Sequence, residues 1–118
     1  MGTTMNKKSS CVAVFTKIAD ANAAVQQLLA AGINKDLISL IGETIQQGRI
    51  AVDGIKYLDN DLLQLGIHKA NLYCYKSLIY SGSYLVIVSG NYKEVEYACN
   101  QLELCEQADV AIHFNAID

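Results

Sequence analysis

Apolar residues recur along this chain with two different periods, and each switch between them marks an element. Residues 11-CVAVFT-16 form a short run rich in β-branched and aromatic side chains, which predicts a strand. In 19-ADANAAVQQLLAAG-32 the period changes: Ala21, Ala24, Val25, Leu28 and Leu29 fall at i, i+3, i+4, i+7 and i+8, one face of a helix. Gly32 suits the left-handed residue just past its end. A second strand is predicted at 37-LISLIG-42, so the first third reads β-α-β. The last third repeats the plan, with a strand at 84-YLVIVSG-90, a helix at 91-NYKEVEYACNQLELC-105 and a closing strand at 109-DVAIHF-114. Asn91 and Glu94 stand three apart as in a capping box, and Val95, Ala98, Cys99 and Leu102 supply the apolar stripe of that helix.

Setting Ala24-Val25-Gln26-Gln27-Leu28 against Ala98-Cys99-Asn100-Gln101-Leu102 brings the flanking strands nearly into register, a weak internal repeat. Two split β-α-β units sharing one sheet account for it, so the expected fold is α+β, a ferredoxin-like sandwich. Residues 1–10 read as a polar, frayed leader and 11–118 as a single domain, with an insertion at 43–81 between the halves. Within the insertion, Asp53-Gly54 lies between two short alternating runs and predicts a hairpin over 49–58. Asp59 can then cap a short helix over 60–65 ended by Gly66, and 68-HKANLYCYKSLIYS-81 predicts a longer helix ended by Gly82.

The strands are apolar in both parities: Val12 and Val14 against Ala13 and Phe15, Leu85 and Ile87 against Tyr84, Val86 and Val88. A sheet with helices on one face alone would alternate apolar with polar, so something must cover the second face. The inserted helices or another subunit could do so, and the larger share is assigned here to a homodimer. On the 68–81 helix, Leu72, Cys74, Tyr75, Leu78 and Ile79 fall on one broad arc, which places Cys74 and Tyr75 in the core. Tyr73, Lys76, Ser77 and Tyr80 fall on the other. Tyrosine is enriched at interfaces, so Tyr73, Lys76 and Tyr80 form the candidate interaction surface, joined by His113 as a polar residue at a rim.

Composition narrows the function classes. Of the 118 residues 52% are hydrophobic and 18% charged, a shift toward the apolar side that calls for a complete core or a partner chain. The longest apolar run, Tyr84 to Val88, is far too short to cross a bilayer. A net charge of −3 and a single arginine, Arg49, argue against a general affinity for nucleic acid, and no glycine-rich phosphate cradle is present. Cys11, Cys74, Cys99 and Cys105 show no CxxC spacing, and no export signal precedes them, so reduced thiols in a cytoplasmic protein are expected. His68 and His113 lack a second ligand at i+3 or i+4, which speaks against a metal. Glu94, Glu96 and Glu103 read as a solvated helix face. No nucleophile, cofactor site or metal site is expected.

The order of these elements resembles the general stress protein 17M-like family of small domains. The likeness rests on 12-VAVFTKIADANAAVQQLLAAGINKDLISLIG-42 and 66-GIHKANLYCYKSLIYSGSYLVIVSG-90, about half of the chain. In the second segment Gly66 and Gly82 bracket a helix whose Tyr75 matches a family tyrosine. Cys74 stands where a second tyrosine is common, His68 where proline is common, and the Asp53-Gly54 hairpin replaces a glycine-rich apolar segment of the family. The resemblance implies a stress-associated cytoplasmic domain with no established chemistry. Three functions follow in order of support: a non-enzymatic, homodimeric module that binds a protein partner; a regulatory domain sensing a small molecule at a subunit interface; and an enzyme using an open sheet face with His113 as base.

Overall fold

A computed structural model of the chain describes residues 9–43, 46–48, 62–63, 67–105 and 108–113, with the backbone alone for 46–48 and 112–113. The elements are β1 (Ser9–Phe15), α1 (Ile18–Ala30), β2 (Ile38–Ile41), β3 (Gln46–Gly48), α2 (Leu72–Tyr80), β4 (Tyr84–Gly90), α3 (Tyr92–Leu102) and β5 (Asp109–His113). Single 3-10 turns, Lys35–Leu37 and Lys69–Asn71, lead into β2 and α2. Leu62 and Leu63 are helical, as expected for 60–65; the rest of that segment except these two residues, the Asp53-Gly54 hairpin and the Asp59 cap lie outside the described residues. Ser9 and Ser10, assigned above to the leader, belong to β1, where both are buried.

The protein is α+β. Its five strands are ordered β3-β2-β4-β1-β5 and every neighbouring pair is antiparallel. The unit β1-α1-β2 therefore straddles β4, and the unit β4-α3-β5 straddles β1, so each half of the chain threads a strand through the other. β3 was not expected from its polar sequence, Gln46-Gln47-Gly48; it is held as a hairpin partner of β2, with Leu40 opposite Gln47.

The central strands are apolar in both parities because both sheet faces are filled. On one face Cys11, Ala13, Phe15, Leu40, Val86 and Val88 pack beneath Ala21, Ala24 and Leu28 of α1 and Val95, Ala98 and Leu102 of α3. On the other, Val12, Ile41, Leu85 and Ile87 pack beneath Leu72, Tyr75 and Ile79 of α2, with Leu62 and Ile67. Val12, Leu85 and Ile87 are wholly buried. The face assigned above to a second subunit is thus covered by the chain itself. Apolar parity reports that a strand is covered, not which chain supplies the cover.

Both layers end their helices with the same device. After α1, the Gly32 N–H donates to the Leu29 carbonyl (3.0 Å) and the Ile33 N–H to the Leu28 carbonyl (3.1 Å); after α2, Gly82 donates to Ile79 (3.0 Å) and Ser83 to Leu78 (2.9 Å). These are Schellman closures, and the glycines take the φ values they require, +92° and +99°. α3 opens on the expected capping box: the Glu94 N–H donates to Asn91 Oδ1 (2.9 Å) and the Asn91 N–H to Glu94 Oε1 (3.0 Å).

α1 and α3 are also tied to each other by polar bonds. Gln27 Nε2 donates to the Gln101 carbonyl at 2.9 Å, Cys105 Sγ donates to Gln27 Oε1 at 3.4 Å, and the Tyr97 hydroxyl donates to the Ala31 carbonyl at 3.0 Å. Gln27 and Gln101 are equivalent positions of the internal repeat, so the repeat meets itself at this seam.

Candidate functional site

α2 is a nine-residue helix with a narrow buried stripe, Leu72, Tyr75 and Ile79 at i, i+3 and i+7, with Leu78 partly buried beside it. The stripe is narrower than the arc expected from sequence, and that corrects one assignment. Cys74 lies about 130° from the centre of the stripe at 100° per residue, and it is exposed rather than in the core. Tyr75 is in the core as expected, and burial raises the pKa of its phenol.

Tyr73, Lys76 and Tyr80 lie together on the solvent side of α2. Tyr73 is 80% exposed and Tyr80 52%, with Lys76 half-buried between them. Lys69 is exposed in the preceding 3-10 turn. Tyr73, Lys76 and Tyr80 stand at i, i+3 and i+7, on one line of the helix. His113 does not join this group. It is on β5, paired with Ser10 of β1, two strands removed from the β4 strand on which α2 rests, and its side chain lies outside the described residues.

From residue 62 to residue 93 the sequence contains no aspartate or glutamate, while Lys69 and Lys76 fall within it. The first turn of α2 carries no acid, and its N-cap Asn71 makes no side-chain cap bond. α3 differs at each point: Glu94 completes its capping box, Tyr92 OH lies 3.4 Å from Glu96 Oε2, and the Tyr97 hydroxyl is used on Ala31. Among the described residues neither Tyr73 nor Tyr80 has a hydrogen-bond partner for its hydroxyl. The row therefore presents two exposed phenol donors and flat apolar rings.

Burial, reinforced by the neighbouring Cys99 thiol, pushes the Cys11 thiol far above the ordinary range, and burial raises Cys99 and Cys105 as well, so all three stay protonated at neutral pH. Among the described residues no group of three or more His, Cys, Asp or Glu side chains could hold a metal ion. One feature escaped sequence reasoning: Ser10, Ser39 and Ser89 are buried in phase with Val12, Ile41 and Ile87 on the α2 face, and Ser10 Oγ has no partner among the described residues. Their parity with inner apolar positions was the available signal. No helix among the described residues is long and apolar enough to cross a membrane. No protein-family model, curated protein or solved structure matches the chain.

Proposed function

We propose that the chain is a non-enzymatic, stress-associated interaction module that docks a protein partner on the outer face of α2. One observation carries the reading: Tyr73 and Tyr80 are the tyrosines of the helical layers whose exposed rings and hydroxyls have no use within the described fold, whereas Tyr92 and Tyr97 are engaged by α3 and α1. Large aromatic side chains left bare on a helix favour a partner that covers them. The stress association rests on the resemblance to the general stress protein 17M-like family, and the cytoplasmic setting on four cysteines that are all free. The interleaved strand order supports the ferredoxin-like reading of the fold, with β3 and α2 as additions to it.

The homodimer expected from the bare sheet face loses its ground, because α2 fills that face, and the partner proposed here is a different protein. The effector-sensing alternative would place its ligand at a subunit interface over the same filled face. Selection of a displayed peptide library on the folded protein tests the docking face. Sequences enriched on the wild type should lose binding to Tyr73→Ser/Tyr80→Ser, a variant whose stability should stay within about 0.5 kcal/mol of wild type because both residues are exposed. Enriched peptides that bind the variant equally well would move the docking surface elsewhere.

A further inference from the structure

We propose that β5 is a self-pairing edge: two copies of the chain join through their fifth strands, antiparallel about a two-fold axis at Ala111, into one continuous sheet. The two ends of the sheet are finished differently. β3 closes one end with Gln46-Gln47-Gly48, a short polar strand that offers a second chain little to pair with. β5 closes the other with Asp109-Val110-Ala111-Ile112-His113. Its register against β1 runs unbroken from Val14 opposite Asp109 to Ser10 opposite His113, so no bulge turns the edge away. The strand holds no lysine, proline or glycine, the residues that commonly blunt an edge. Among the described residues no strand lies on its outer side, Asp109 and Ala111 are exposed, and Val110 is half-buried.

The order of residues along β5 selects a second copy as the occupant. Antiparallel pairing about Ala111 sets position 109 of one copy opposite 113 of the other, 110 opposite 112, and 111 opposite itself. Aspartate then stands opposite histidine at both ends, valine opposite isoleucine, and alanine opposite alanine at the axis. The acid meets a residue type that donates a ring N–H in either charge state, β-branched meets β-branched, and the axis holds a small neutral residue. A slip of one residue destroys the match, setting Asp109 against Ile112 or His113 against Val110. The faces agree as well. Positions 110 and 112 pair with Ala13 and Cys11 on the α1–α3 face, while 109 and 111 pair with Val14 and Val12 on the α2 face. An axis perpendicular to the sheet keeps each set on its own face. The contact uses no residue of α2, so it does not rest on the docking reading.

Sedimentation velocity over a series of protein concentrations decides the matter. A contact between two short strands is small, so the wild type should move from the mass of one chain toward that of two as concentration rises through the micromolar range. It should stop at two, because a two-fold contact closes on itself. Ala111→Lys sets two ammonium groups across the axis and should weaken the dimer at least about tenfold. Its urea midpoint should stay near that of the wild type, because Ala111 is exposed. Asp109→Lys should also weaken the dimer, and Asp109→Lys/His113→Asp, which exchanges the opposed residues, should restore it. That restoration keeps the test decisive if Ala111→Lys fails to fold. Tyr73→Ser/Tyr80→Ser should dimerise as the wild type does. The mass of one chain at every concentration would overturn the proposal, as would assemblies that grow beyond two. A dimer that survives Ala111→Lys, or one that Asp109→Lys/His113→Asp leaves as weak as Asp109→Lys alone, would place the contact elsewhere and overturn it too. Loss of the dimer in the tyrosine variant alone would assign the contact to α2 instead.

Discussion

Two helical layers lie on one sheet, and they are finished differently. The α1–α3 layer packs two helices side by side, bridges them through Gln27, Gln101, Cys105 and Tyr97, and caps α3 on both sides of its first turn. The α2 layer also buries an apolar stripe, yet α2 takes no side-chain cap from Asn71, and Tyr73 and Tyr80 face solvent with no hydroxyl partner among the described residues. Depth of burial alone does not distinguish the layers. What distinguishes them is whether the polar groups of the outer surface have been used internally, and on α2 two phenols have not.

The hardest test of the claim that both layers are core is to hollow each in turn. Leu28→Ala and Ile79→Ala both truncate wholly buried side chains, and each should cost about 2–5 kcal/mol with a single urea transition retained. An unchanged midpoint in Ile79→Ala would reduce the α2 layer to an appendage.

Alkali should separate the layers next. Burial raises the thiols of Cys11, Cys99 and Cys105, all in or against the α1–α3 layer, above their unfolded values. The fold therefore retains protons that the unfolded chain releases. The resulting stabilisation is complete below about pH 8.5 and is lost as pH rises beyond it, by about 1.4 kcal/mol per pH unit for each thiol held fully protonated. Denaturation of the wild type and Cys11→Ala at a series of alkaline pH values should show a shallower fall in the variant. Parallel curves would deny Cys11 that role.

The smallest contrast lies at the helix starts. Asn91→Ala removes a side-chain cap from α3 and should cost about 1 kcal/mol, whereas Asn71→Ala removes none from α2 and should stay within about 0.5 kcal/mol. Thermal melts of the two variants compare them directly, and equal losses would mean that α2 relies on its own N-cap side chain after all.

Much of this architecture was legible in residues whose physics is local. Gly32 and Gly82 announced their helix ends because only glycine takes those φ values without strain, and Asn91 with Glu94 announced a helix start through bonds that span three residues. The interleaving of the two halves was legible in the repeat around Gln27 and Gln101. Features set by tertiary contact were not. Strand β3 has little propensity of its own and exists because β2 offers it an edge. Cys74 was misplaced because α2 touches the sheet along a single line, a width that periodicity cannot supply. The cover of the second sheet face was legible as a need, while its supplier depended on how residues 62–80 fold back. Of the candidate surface, Tyr73, Lys76 and Tyr80 were found by helical spacing.

The Schellman closure at Gly82 makes the joint between α2 and β4 short and stiff. Only Ser81, Gly82 and Ser83 separate Tyr80 from the first residue of β4, and two of the three amides are committed to carbonyls of the helix's last turn through the closure itself. A helix joined this way works as a lever with no slack. Force applied at Tyr80 is delivered to Tyr84 and Leu85, near the middle of the sheet, rather than dissipated in a loop. A partner docked as proposed above would bear on β4, the strand that the β1-α1-β2 unit straddles.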